Sequence, residues 1–187
     1  MKRVIIVHRW DGNPEADWYQ WLKEELERMN VKVEILAMPH PERPEIRSWT
    51  DAIKKQVKNP DKETYFIGHS VGCQAILRYL QTLPENTRIG GCLLVAGWLK
   101  LNELETEEER EIAGPWFKDD INFNKIKKMG QITALFSDDD PFVPLNNKDM
   151  FENELDADVI VEKKMGHYNH YTAPTILKQM IKMLRLD

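Results

Sequence analysis

The chain alternates short runs of β-branched and aromatic residues with longer stretches in which apolar residues recur every three or four positions. Runs of the first kind suit strands buried on both faces, and stretches of the second kind suit helices with one buried side. Arg3 to His8 (RVIIVH) predicts the first strand. Asn13 then offers a helix cap, Pro14 a first helical position, and Glu15 and Asp17 favourable first-turn charges. Trp18, Trp21, Leu22, Leu26 and Met29 follow at helical spacing. VKVEIL at 31–36 predicts the second strand. The proline-rich MPHPERPE leads to a helix near 48–58, where Ser48 and Asp51 resemble a capping box and Trp49, Ile53 and Val57 form the apolar stripe. TYFIG predicts the third strand, VGCQAILRYLQTL a helix after it, and IGGCLLVAG near 89–97 the fourth strand. Residues 98–130, with acidic ELETEEERE and then PWFKDDINFNKIKK, read as irregular. QITALFS at 131–137, a helix near 145–155, the strand DVIVEK and a helix over 173–185 complete the chain.

This rhythm predicts an α/β fold, a three-layer α/β/α sandwich with about six parallel strands. The 187 residues contain no internal repeat, low-complexity tract or linker, so 1–187 reads as one domain with a short insertion at 98–130. At 42% apolar residues the chain can bury a core without metal or disulfide staples. A net charge of −5 argues against nucleic acid or an anionic membrane as partner, and Lys125, Lys127 and Lys128 read as a solvated helix face. Cys73 and Cys92 lie in apolar runs and read as buried free thiols, and no CxxC or paired His/Cys spacing points to zinc. The start, MKRVIIVHRWDG, has too short an apolar run for a signal peptide or a membrane span, so a cytoplasmic location is expected. No phosphate-cradling glycine motif follows the first strand, which disfavours a nucleotide or flavin binder.

The sharpest chemical signal is Gly68-His69-Ser70-Val71-Gly72, set between a buried strand and an amphipathic helix. A serine on such a tight turn is pushed outward by strained backbone, glycines on either side let strand and helix pass closely, and the helix start offers free amides to an oxyanion. Otherwise GHSVG is an ordinary glycine-rich βα turn. A serine hydroxyl needs a base and an orienting acid, and in this arrangement the acid and then a histidine follow the serine at later strand ends. Ser137-Asp138-Asp139-Asp140-Pro141 follows the fifth strand and Gly166-His167 follows the sixth. Among the three aspartates Asp140 is the candidate acid, because Pro141 holds the preceding residue extended; Asp138 and Asp139 read as capping or solvating the loop. His167 is the candidate base by its strand-end position, ahead of His170 one short loop further on. His69 reads as a packing or loop residue turned away from Ser70, and His40 carries no signal. The oxyanion donors expected are the Val71 amide and the Trp10 amide in the loop after the first strand, where the Trp10 ring also reads as packing over a pocket mouth. Trp98, Trp116 and Phe117 read either as walls of an acyl-binding pocket or as packing of the 98–120 connection onto the sheet.

HRWDGN, MPHPERPEIRSW, GHSVGCQAILRYL, PWFKDDINFNKIK, SDDDPFVP and GHYNH together resemble the compact serine hydrolases of the YdeN and retinoblastoma-binding-protein family, a branch of the α/β-hydrolase superfamily. The resemblance spans nearly the whole chain. It implies the strand order 2-1-3-4-5-6, a triad on Ser70, Asp140 and His167, and hydrolysis of small acyl substrates. Two departures stand out. Arg9 occupies a loop position where the superfamily usually carries glycine, and no Leu-x-Cys-x-Glu peptide is present, so the retinoblastoma partner does not carry over. The expected activity is cleavage of small esters, thioesters or amides through an acyl-enzyme, with no metal or organic cofactor. The alternatives are a weakly catalytic binding or regulatory protein on the same scaffold, and an acyltransferase.

Overall fold

Each predicted apolar run forms a strand: β1 (Arg3–Val7), β2 (Lys32–Leu36), β3 (Thr64–His69), β4 (Gly91–Val95), β5 (Gln131–Ser137) and β6 (Asp158–Glu162). They pair in parallel as one six-stranded sheet in the order β2-β1-β3-β4-β5-β6. The computed structural model describes residues 1–118 and 120–186; Asp119, within PWFKDDINFNKIK, and Asp187 lie outside the described residues. The helices are α1 (Tyr19–Arg28), α2 (Ile46–Val57), α3 (Val71–Thr82), α4 (Glu107–Lys118), α5 (Phe123–Ile126), α6 (Asn147–Leu155) and α7 (Pro174–Leu184).

Alternation along the strands builds the three layers. Ile5 and Val7 of β1 pack with Trp49, Ile53 and Ile76 from α2 and α3 on one face. Val4 and Ile6 pack with Trp18, Leu22, Leu26, Ile176 and Met180 beside α1 and α7 on the other. Each such fully buried aliphatic side chain contributes about 1.5–3 kcal/mol. Cys73 and Cys92 are buried free thiols, and burial pushes both far above the ordinary thiol range. Among the described residues no helix is long and apolar enough to cross a membrane.

Three sequence expectations are corrected. Helix α1 begins at Tyr19, not near Pro14, because Asn13 Oδ1 accepts from the Glu15 amide at 2.9 Å and Asp17 then turns left-handed at φ 50°. A left-handed residue closes a turn and prevents helix from propagating through it. Ser48 does not cap α2: the helix starts at Ile46, and the Ser48 hydroxyl donates back to the Glu45 carbonyl. The 98–130 stretch is not irregular throughout. Thr106 and Glu109 exchange side-chain and backbone bonds of 3.1 and 2.9 Å, a reciprocal capping box that starts α4 despite Pro115 inside it.

Helix α4 is pinned from beneath. The buried Arg78 of α3 donates to the Trp116 carbonyl at 2.7 Å, and the Trp116 indole donates to the Pro44 carbonyl at 3.1 Å. Arg43 adds ion pairs to Glu108 and Glu111, each 3.5 Å. The sheet order reverses direction between β1 and β3, and their carboxyl ends open the crevice that such a reversal creates.

Candidate active site

Ser70 joins β3 to α3 with φ 54° and ψ −119°, a conformation that costs a residue with a side chain about 1–3 kcal/mol. Its neighbours enforce that bend. The Ser70 amide donates to the Val95 carbonyl at 2.9 Å, and its own carbonyl accepts from Cys73 at 3.0 Å. A methyl group on Gly72 would lie 2.3 Å from the Val7 carbonyl oxygen, and one on Gly68 would lie 2.7 Å from the Cys73 backbone. The two glycines therefore let α3 start directly against the ends of β1 and β3. The Val71 amide, first in the helix, has no intrahelical acceptor and sits at the positive end of the helix dipole.

The loops after β5 and β6 bring Asp140 to His167. His167 Nδ1 lies 2.8 Å from Asp140 Oδ2, and the Asp140 side chain is only 2% exposed. A carboxylate oxygen accepts, so Nδ1 carries a proton, and in the neutral imidazole that leaves the lone pair on Nε2. The other Asp140 oxygen accepts from the amides of Phe142 and Val143 at 2.9 and 3.1 Å, which locks the carboxylate plane. The preceding aspartates hold the histidine loop itself. Asp138 accepts from the Lys164 amide and Asp139 from the Gly166 amide, both at 2.8 Å, while the Ser137 hydroxyl accepts from the Met165 amide at 2.9 Å and donates to Asp139. The Ser137 hydroxyl and the Gly166 amide keep the Asp139 carboxyl below the usual carboxylate range. His170 and His40 are exposed and lie outside this arrangement.

The loop after β1 completes the crevice. Buried His8 donates from Nδ1 to the Arg9 carbonyl at 2.8 Å and accepts the Met38 amide at Nε2 at 3.2 Å, and burial holds its pKa below the ordinary histidine value. The Gly12 amide also donates to the Arg9 carbonyl, at 3.1 Å. Because a trans peptide points its N–H opposite its C=O, these two bonds set the direction of the Trp10 amide. That amide has no acceptor among the described residues. Arg9 does not fill the crevice where glycine is usual: its Nε lies 2.8 Å from Asp17, and its Nη1 donates to the Trp10 carbonyl.

Ser70, His167, Arg9 and Trp10 line a cavity of about 820 Å³ whose apolar wall is Trp98, Leu101, Leu104, Ile112 and Phe142. Of the three aromatic residues singled out in the sequence, Trp98 reaches this cavity. Trp116 is buried against Trp49 and Arg78, and Phe117 leans on the outside of Trp98, its ring centroid 5.2 Å away. The sequence reading missed Leu101, Leu104, Ile112 and Phe142. Ile112 was detectable as the apolar stripe of a capped α4, and Phe142, whose ring stands edge-on to His167 at 5.1 Å, as the neighbour of the acid loop. Among the described residues no group of three or more His, Cys, Asp or Glu is placed to hold a metal ion.

A serine on a strained strand-to-helix turn, in a parallel sheet of this order, places the chain in the α/β-hydrolase class. Within it the chain belongs to the serine hydrolase family, whose model matches residues 4–185. YdeN of Bacillus subtilis (strain 168) is 30% identical over 169 residues, covering 89% of this chain and 86% of that protein. The serine hydrolase RBBP9 of Rattus norvegicus is 28% identical over 187 residues, 98% of this chain and 95% of its own. The crystal structure of the B. subtilis ydeN product superposes with a TM-score of 0.90 at 25% identity, covering 99% of this chain and all 100% of that one. Est1E of Butyrivibrio proteoclasticus, solved with ferulic acid bound, shares the fold at TM-score 0.77 and 14% identity, over 99% of this chain and 90% of its own.

Proposed function

We propose that this serine hydrolase cleaves small acyl esters through a triad of Ser70, His167 and Asp140. The observation that carries the proposal is the 2.8 Å bond from His167 Nδ1 to a buried carboxylate, in a loop that lines one cavity with the strained Ser70. His167 Nε2 takes the hydroxyl proton as Ser70 Oγ attacks the carbonyl carbon. Asp140 keeps the imidazole in the tautomer that can do so and stabilises the imidazolium that forms. The amides of Val71 and Trp10 receive the oxyanion. As the tetrahedral intermediate collapses, the imidazolium gives its proton to the leaving alkoxide, and an acyl-Ser70 ester remains. Water, deprotonated by the same nitrogen, then releases the acid and regenerates the serine.

The 98–130 excursion is too short to form a large lid, which favours short acyl groups over long lipids. A cavity of about 820 Å³ is ample for a small ester, within the common range of roughly 300–1,000 Å³ for ligand sites. The test is a series of p-nitrophenyl esters. Acetate and butyrate are expected to show an acyl-enzyme burst and steady turnover, with palmitate negligible. Added methanol is expected to leave the free acid as the main product; an ester product in its place would make the protein an acyltransferase. No turnover of any short ester would overturn the proposal.

A further inference from the structure

Esterase chemistry leaves a buried titratable pair unused, Tyr19 at the start of α1 and His69 between Gly68 and Ser70, both fully buried. Tyr19 Oη is 2.7 Å from His69 Nδ1, His69 Nε2 is 2.8 Å from the His167 carbonyl oxygen, and the Arg9 amide donates to Tyr19 Oη at 3.2 Å. We propose that Tyr19 and His69 are positioning residues: they form one hydrogen-bonded chain from the oxyanion loop, behind the nucleophile, to the backbone of the general base. This rests on the roles given above to Ser70, His167 and Trp10.

The direction of every bond follows from its far end. A carbonyl oxygen can only accept, so His69 Nε2 must carry the proton. Burial keeps the ring neutral, holding its pKa well below the ordinary histidine value, so Nδ1 must accept. Tyr19 is then the donor to Nδ1, and its oxygen is free to accept from Arg9. Burial pushes the Tyr19 pKa well up, which keeps the phenol protonated as this requires. Only one proton arrangement satisfies all three bonds.

The Asp17 carboxylate also stands beside Tyr19 and adds to the rise in its pKa after burial, but the bond that the hydroxyl donates within hydrogen-bond distance is the 2.7 Å one to His69 Nδ1. The Asp17 carboxylate lies 3.9 Å from Nδ1, too far for a hydrogen bond, and is itself paired with Arg9 at 2.8 Å. Trp18 and His167 contribute ring contacts at 5.7 and 5.3 Å. Asp17 makes a second tie between the same loops, accepting from Arg9 Nε in a partly buried contact and, at 3.2 Å, from the exposed Asn169 Nδ2. Arg9 thus joins both ties, through its amide and through its side chain.

His167 needs such an anchor. It stands between Gly166 at φ 51° and Tyr168 at φ 56°, and the second is strained for a bulky residue. Asp140 fixes its ring, but the His167 carbonyl has His69 Nε2 as its donor among the described residues. Losing that bond frees the His167–Tyr168 peptide to rotate and carries Nε2 away from Ser70 Oγ.

Tyr19→Phe removes one hydroxyl and keeps the ring packing. The expected result is a kcat lowered about ten- to a hundredfold, the cost of a small misplacement, with KM within about twofold. His69→Gln retains an Nε2 donor for His167 and His69→Leu does not. Gln is expected to keep about tenfold more kcat than Leu, although both lower the thermal midpoint. Nitrogen-15 spectra of histidine-labelled protein are expected to show His69 as the Nε2–H tautomer in both proteins, with its Nδ1 signal shifted in Tyr19→Phe by loss of the phenol donor and the His167 ring signals displaced. Unchanged kcat in Tyr19→Phe, or equal kcat in the two His69 variants, would overturn the proposal. If wild-type protein turns over no ester, the esterase reading itself fails and the spectra decide: displaced His167 signals in Tyr19→Phe support the chain, and unmoved signals overturn it.

Discussion

Asp140→Asn is expected to lower kcat about ten-thousandfold while leaving the thermal midpoint nearly unchanged. The size of the effect follows from how the carboxylate is held. Asp140 Oδ1 accepts from two backbone amides, Phe142 and Val143, so asparagine must keep its carbonyl oxygen on that side. Its NH₂ group then replaces Oδ2 and faces His167 Nδ1 across 2.8 Å. Two donors cannot share that contact, so the imidazole moves its proton to Nε2 and loses the lone pair that would accept from Ser70. The amide cannot escape by flipping, because that would set its NH₂ against both backbone amides. Steady-state kinetics on an activated ester, with a melting curve on the same sample, check this. A loss under tenfold in a fully folded variant would remove Asp140 from the mechanism.

The second large effect is on stability. Gly72→Ala is expected to destabilise the fold by about 3 kcal/mol or more, beyond the usual cost of overpacking because the obstacle is backbone. Two forces oppose each other here. Gly72 is inside α3, where alanine is the better helix former by about 1 kcal/mol. The added methyl, however, would stand 2.3 Å from the Val7 carbonyl oxygen and 2.7 Å from that of His8, and main-chain atoms cannot rotate aside. The clash prevails, and α3 must back away from β1. For a chain of this size each kcal/mol moves the midpoint by about 2–4 °C, so a fall of roughly 6–12 °C should be seen by calorimetry. Activity should fall further than stability, since the displaced strand end carries His8 to Trp10. A variant as stable as the wild type would mean that this approach is looser than the backbone geometry requires.

The sheet was legible because its signal is local: short β-branched apolar runs such as VIIV at 4–7, too brief for a buried helix, suit interior strands. The positions of Asp140 and His167 were equally local, since a residue in the loop after a buried strand emerges at the carboxyl edge of the sheet. Helix starts were harder to read, for two different reasons. Asn13-Pro14-Glu15 has the chemistry of a cap, but Asn13 closes its own short turn and Asp17 is drawn to Arg9, a partner the local pattern does not reveal. The capping box at Thr106 and Glu109 was written in the sequence and was obscured by the acidic run and by Pro115.

Roles that depend on long-range partners were out of reach. Nothing near Trp116 announces that the buried Arg78 and the Pro44 carbonyl hold it away from the cavity. Likewise, Asp138 and Asp139 looked like a charged turn because the amides they serve, on Lys164 and Gly166, come from a different loop. His69 was expected to turn away from Ser70, and its bonds run to Tyr19 and the His167 carbonyl. What that turned-away ring holds depends on residues 50 and 98 positions distant in the chain.

The central claim is that Ser70 is an activated nucleophile, and a fluorophosphonate probe tests it without knowledge of the substrate. Wild-type protein is expected to take up one probe per chain, mapped by peptide mass to the GHSVG turn, with none taken up by Ser70→Ala. Folded wild-type protein that stays unlabelled, or labelling that persists in Ser70→Ala, would contradict the account.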